Sequence, residues 1–296
     1  MADDVPLTRT EKIALKLSEL ANERPAGKWL QQRFLRGVSY AWVRAGLAGR
    51  VLAEGLPELK TLRPERGVML VSNHRSFFDQ YSMMLAWWMA KIPWAKNLSF
   101  PVRANFFYDQ PLGILVNAGV GAFTMYPPIY RESSRRLQND EALDRMVDIL
   151  KSPNNVLGMH PEGTRGKGDD PYTMLPAQPG VGKLALVAKP TVIPAFINGL
   201  GNSVPDDIRR TWSKTGRREH PVIVVFGMPV DYADLMAEKP RPTLYKKCAD
   251  RFMAEVKRLA ARERELRAEC LAGGISDDDK RWIVNLGQNR LYAFEG

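Results

Sequence analysis

The sequence predicts an α/β protein: a mostly parallel mixed sheet flanked by helices, preceded by an N-terminal two-helix amphipathic region. Three observations carry this. From residue 67 onward, short apolar runs alternate with longer helical patterns, as in chains that wind helices over a parallel sheet. Before that point, apolar residues recur at four-residue spacing, the period of a helix face. No stretch reaches the ~18 uninterrupted apolar residues of a membrane span. The nearest candidates, residues 83–89 and 112–126, are ended by Lys91 and broken by Asn117 and glycines.

Residues 8–23 read as the first helix, opened by a Thr8-x-x-Glu11 capping box and closed before Pro25. Residues 27–53 read as the second. Leu30, Phe34, Val38 and Trp42 repeat every fourth position, with Trp29 and Leu35 alongside. Lys28, Arg33, Arg36, Arg44 and Arg50 decorate the rest. Such a helix either lies in a bilayer interface or packs on a core with a solvated basic face. Expected strands are 68–73, 122–126, 155–159, 192–198 and 222–226; expected helices are 77–89, 141–151 and 182–188. Residues 201–221 form a basic inserted loop or short helix around Trp212, and 242–269 a long charged helix. The organisation that follows is an N-terminal helical region (1–60), a core (61–240) and a C-terminal helical extension (241–296).

A net charge of +10 suits an anionic partner: nucleic acid, a phosphorylated substrate or an anionic membrane. No nucleic-acid-binding motif is present, which favours the last two. Cys248 and Cys270 make neither a disulfide framework nor a metal cluster. His74, His160 and His220 lack ligand spacing, so no metal is expected. The opening Met-Ala-Asp-Asp-Val-Pro does not resemble a secretion signal. The expected location is therefore peripheral, on the cytoplasmic side of a membrane.

Chemistry concentrates in residues 73–79, Asn-His-Arg-Ser-Phe-Phe-Asp. On one helix, five positions leave side chains roughly 140° apart, so His74 and Asp79 would not meet. They meet if His74 sits in the turn before a helix and Asp79 in its first turn. A carboxylate then holds one imidazole nitrogen and leaves the other as a base. The alternative is structural: Ser76-x-x-Asp79 also reads as a capping box. Ser72 and Ser76 flank the histidine, but neither lies in a Gly-x-Ser-x-Gly elbow that would make it a nucleophile. Residues 179–184 end like a phosphate-binding loop, yet Ala177 and Leu184 fail the motif.

Asn73-His74 with Asp79, followed by Pro161-Glu162-Gly163-Thr164-Arg165, resembles the glycerolipid acyltransferase family, best known through the 1-acylglycerol-3-phosphate acyltransferases. Residues 191–195, Thr-Val-Ile-Pro-Ala, resemble a later block of the same family. The resemblance implies His74 as base and Asp79 as its orienting partner. It implies Glu162, Gly163, Thr164 and Arg165 as the acceptor site. It implies acyl-CoA or acyl carrier protein as donor, a lysophosphatidate-like acceptor, a membrane surface as partner and no tightly bound cofactor. Residues 121–131 depart from the family's middle block; Arg131 is its matching arginine, with Arg103, Arg135 and Arg136 as competitors. His160 also departs, standing where the family has an apolar or aromatic residue; it either tunes His74 or packs. The apolar residues Met83, Met84, Leu85, Trp87, Trp88 and Trp94 either guide an acyl chain or form core. Competing readings are the same chemistry on a lysophospholipid, aminolipid or glycolipid, or a non-enzymatic basic membrane-binding protein.

Overall fold

The computed structural model of the chain describes residues 5–201 and 203–286. The chain opens with α1 (Arg9–Glu23), α2 (Pro25–Phe34), a π-helical turn (Leu35–Ser39) and α3 (Tyr40–Leu47). It continues through β1 (Val51–Glu54), α4 (Leu56–Thr61), β2 (Val68–Ser72) and α5 (Asp79–Met89). Next come β3 (Asn97–Ser99), β4 (Val102–Arg103), α6 (Ala104–Phe107), α7 (Pro111–Gly119) and β5 (Pro128–Ile129). They are followed by α8 (Arg136–Ile149), β6 (Asn155–Met159), α9 (Pro179–Ala188) and β7 (Thr191–Asn198). The last elements are α10 (Val204–Trp212), α11 (Gly216–Glu219), β8 (Val222–Phe226), α12 (Ala233–Met236) and α13 (Pro242–Leu271).

Six strands form one sheet in the order β1-β8-β7-β2-β6-β3. Every neighbouring pair is parallel except β7–β8. The α/β class and the mixed, mostly parallel sheet are as predicted. Along β2, Val68 and Leu70 join one apolar cluster while Met69 and Val71 join the other. The strand is thus buried on both faces, which is why it reads as a continuous apolar run. One face is covered by α5 and α3, the other by α9 and α13. Helix α5 is buried nearly all round, and Met83, Met84, Leu85, Trp87 and Trp94 belong to the core. Packing, one of their two sequence readings, is where they lie.

Two expected elements are corrected. The helix expected over 27–53 ends at Leu47, and Val51–Glu54 is instead the strand beside β8. Val51, Leu52 and Ala53 are a short buried run, which a four-residue period does not describe. The strand expected over 122–126 is a turn after α7. Ala122 and Phe123 take positive φ, 45° and 62°, which takes them out of extended geometry. Pro127 and Pro128, which carry no N–H, follow immediately, and only the two-residue β4–β5 pair forms there.

The second helical segment also faces differently from its apolar pattern. Its buried stripe is Gln31, Leu35, Ser39, Val43 and Leu47, one position off the expected face. Gln31 Nε2 donates to Ala122 O at 2.8 Å, and Ser39 Oγ to Val120 O at 2.8 Å. These polar anchors turn Leu30 and Val38 outward, 63% and 53% exposed. At α1 the Thr8–Glu11 capping box is present. In the C-terminal region α13 packs on α9, and Trp282 and Ile283 are buried. Residues 287–296 of the expected extension lie outside the described residues. No helix among the described residues is long and apolar enough to cross a membrane.

Candidate functional site

Adjacent parallel strands end on the same side of a sheet, so whatever follows β2 and β6 is brought together. Val71 pairs with Met159, which sets the residues after β2 beside those after β6. Ligand sites of open α/β sheets gather beyond such carboxyl ends. The two sequence blocks, 88 positions apart at His74 and Glu162, meet there.

His74 lies in the turn before α5, and Asp79 is the first residue of that helix. His74 Nδ1 is 3.1 Å from Asp79 Oδ2. The same oxygen accepts from the backbone N–H of Arg75 at 2.7 Å and of Ser76 at 2.8 Å. A carboxylate offers only acceptors, so Nδ1 carries the proton and Nε2 is the basic nitrogen. The His74 side chain is 22% exposed while Asp79 is buried. Burial pushes Asp79 up to about 6, opposed by the neighbouring His160, the two backbone donors and Arg165. Burial, then repulsion from Arg165, pushes His74 down to about 3. The dyad reading and the cap reading thus coexist in one carboxylate. Ser76 Oγ accepts from Phe78 N at 3.3 Å, a cap on the turn that opens α5, and its hydroxyl also donates to Gly201 O at 2.7 Å.

Glu162 is a brace. Only 4% exposed, it accepts from His74 N at 2.9 Å through Oε1 and from Leu175 N at 2.8 Å through Oε2. Burial raises its pKa, while those two amides pull the other way. Gly163 adopts φ 66°, the left-handed region open to glycine, and a side chain there would also approach Gln178 Cγ at 3.1 Å. Gly166 N donates to His74 O at 2.9 Å, and Arg75 Nη2 to Gly168 O at 2.6 Å. The loop after β6 is therefore laced to the His74 turn at several points. Thr164 is half-buried in this loop, and Arg165 is exposed beside the dyad.

Of the competing arginines, Arg131 reaches the loop: its Nη2 donates to Gly163 O at 3.2 Å. Arg135 instead pairs with Glu11 at 3.2 Å, and Arg136 approaches Asp140 at 4.0 Å. Arg103, at the end of β4, is lowered by desolvation and by repulsion from Arg131 and Arg165. Guanidinium groups from two other segments thus act on Arg103. Residues 191–195 lie in β7, where Pro194 is in register with Val71.

Several contributors escaped sequence reasoning. Asn73 clamps β2 to β7, donating to Ile197 O and accepting from Ile197 N, both at 2.8 Å. Gln80 lies under His160 and fits because the facing residue on β6 is Gly158, where any side chain would collide with it. Asn73 had a signal, its place in the Asn-His pair; Gln80 had none. His74, Asp79 and His160 also form a group with metal-ligand atoms close together. The two imidazole planes, however, are parallel at 3.9 Å. A metal lies near the plane of each imidazole that binds it, so these rings do not converge on one ion.

The fold and this geometry define an α/β protein with a His–Asp dyad at the carboxyl ends of parallel strands. Residues 55–198 match the Acyltransferase family. That match supports an acyltransferase of lipid metabolism that acts on a lipid acceptor. No curated protein matches the sequence.

Proposed function

We propose that the protein moves a fatty acyl group from a thioester donor, acyl-CoA or acyl carrier protein, to the hydroxyl of a lysophosphatidate-like acceptor. The observation that carries this reading is the His74 Nδ1–Asp79 contact, with Nε2 as the basic nitrogen. His74 Nε2 takes the acceptor's hydroxyl proton as that oxygen attacks the thioester carbonyl. The tetrahedral intermediate collapses, the C–S bond breaks, and the leaving thiolate takes the proton back from His74. Asp79 holds the ring in this tautomer and stabilises the imidazolium while it exists. A thioester is already activated, so no covalent enzyme intermediate is needed.

Arg103, Arg131 and Arg165 support a phosphate-bearing acceptor, since guanidinium forks match phosphate oxygens. Glu162 contributes by fixing the His74 backbone and the loop that carries Gly163, Thr164 and Arg165. Exposed Trp29, Leu30, Val38, Leu112 and Leu115, with the basic residues of the N-terminal helices, support contact with a membrane surface.

Two outcomes follow from these groups. The dyad shares one hydrogen bond and titrates as a unit. Its working form, Asp79 ionised and His74 neutral, is present above pH 6 and is lost as pH falls through about 6. kcat/KM is expected to fall about tenfold per pH unit below that point. A profile flat to pH 5 would contradict the dyad. Arg131→Met is expected to raise the acceptor KM by about 10- to 100-fold, the loss of one charge-assisted hydrogen bond, with kcat little changed. An unchanged KM would remove Arg131 from the acceptor site.

The deciding assay offers labelled acyl-CoA and acyl carrier protein with lysophosphatidate, and separately with lysophospholipid diesters, aminolipids and glycolipids. Transfer to lysophosphatidate supports the reading. Transfer only to another lipid keeps the chemistry and replaces the acceptor. Transfer to none, with folded protein and lipid present, overturns it.

A further inference from the structure

His160 follows β6 directly, one step past the Val71–Met159 pair of the ladder. Its ring lies flat on the ring of His74, with centroids 3.9 Å apart and planes 8° apart. The ring is held at both nitrogens. Nδ1 is 2.9 Å from Asn73 O, and 3.2 Å from both Ser72 O and Ser72 Oγ. Nε2 is 3.2 Å from Gln80 Nε2. Two carbonyls at Nδ1 require a proton there, and burial opposes a second proton on the ring, which makes it the neutral imidazole protonated on Nδ1 with Nε2 toward the Gln80 amide.

We propose that His160 is a positioning residue for His74: a ring platform, anchored by Asn73, Ser72 and Gln80, that sets the plane of the base's imidazole. Asp79 holds His74 at a single point, Nδ1, and one hydrogen bond does not fix a ring plane. A flat contact beneath it does. Orientation of this kind matters because a misplacement of about 1 Å at a reacting group costs on the order of 10² in rate.

The groups facing the stacked pair are Asp79 from α5, and Glu162 and Arg165 from the loop after β6; Arg75 lies beside Glu162. Burial and the neighbouring His74 push His160 down to about 3. The platform therefore stays neutral while His74 gains its proton, where a second charge so close would oppose the step. An aromatic hydrocarbon would give the same flat face without the polar anchors.

The kinetic consequence rests on His74 being the base; the geometric one does not. The test therefore has two arms, using the full-length wild type, His160→Ala and His160→Phe. In the kinetic arm, His160→Ala is expected to lose about 10²-fold in kcat with the acceptor KM within about twofold. His160→Phe, which restores a ring, is expected to recover at least about tenfold of that loss. Wild-type kcat in His160→Ala, or a Phe variant as slow as the Ala variant, would overturn the platform.

The spectroscopic arm uses ¹⁵N-labelled histidine, and the chain has three histidines to assign. His160 is expected to remain the neutral Nδ1–H tautomer between about pH 8 and 5. The His74 Nδ1–H proton resonance is expected to be sharp in wild type and His160→Phe and broadened in His160→Ala. An imidazolium at His160, the opposite tautomer, or an equally sharp His74 signal in all three proteins would overturn the proposal. Should the wild type transfer no acyl group, the functional reading fails while this arm still decides the platform. Should His160→Ala fail to fold, the Phe variant and the wild-type tautomer remain decisive.

Discussion

His74→Ala is expected to lower acyl transfer by about 10²–10⁴-fold, or about 3–5 kcal/mol of transition-state stabilisation. The imidazole is replaced by a group that takes no proton, while the backbone contacts at this position persist. His74 N still donates to Glu162, and His74 O still accepts from Gly166 N. The variant should therefore fold and bind acceptor, with the loss in kcat. Initial rates of labelled acyl transfer, with circular dichroism to confirm folding, check this. A wild-type rate would rule out His74 as the base. Asp79→Asn makes a complementary test. Its amide oxygen can take the position of Asp79 Oδ2 and keep the three donors there, but it carries no charge to stabilise the imidazolium formed during transfer. Activity should fall in that variant as well.

The second large effect is on stability. Arg50 is wholly buried, and its guanidinium is paired with Asp207. Its other donors reach Gly199 O at 2.9 Å, His220 O at 2.8 Å and Thr211 Oγ1 at 3.1 Å. Asp207→Ala leaves this charge in the interior without its carboxylate. Removing one partner of a buried pair costs about 3–5 kcal/mol. For a chain of this size, that corresponds to a fall in melting temperature of about 10 °C. A thermal scan unchanged by the substitution would show that the pair is not what holds α10 to the core. The consequence should reach the site as well. Asp207 also accepts from Gly201 N, and Gly201 O is the acceptor for Ser76 Oγ in the His74 turn.

The elements legible in the sequence were those whose burial pattern is local. β2, β6, β7 and β8 are apolar runs of strand length, and each appears within a residue or so of its expected bounds. α5 and α13 likewise carry their pattern on their own residues. β1 was not legible, because Val51–Glu54 continues a helical pattern and becomes a strand only by pairing with β8, some 170 residues later. The face of the N-terminal helices was misread for a similar reason. Two polar side chains, Gln31 and Ser39, find carbonyl partners in the turn after α7, and that outweighs the apolar periodicity.

The site divides along the same line. Residue identity and spacing carried the His74–Asp79 contact, since a turn followed by a helix start is local geometry. The family resemblance carried the Glu162–Arg165 block. What Glu162 does depended on the sheet. Its carboxylate is taken up by backbone amides of His74 and Leu175, a role that exists only because β2 and β6 lie side by side. Which of the three arginines reaches the Gly163 loop was likewise tertiary: Arg131 follows β5 and donates to Gly163 O, while Arg135 and Arg136 do not. So was the stacking of His160 on His74, which needs Gly158 to leave room for Gln80 beneath. Chain chemistry specifies which groups are available and which local turns they favour. Only strand register and long-range hydrogen bonding decide which of them touch, because those contacts join residues whose separation along the chain exceeds any local period.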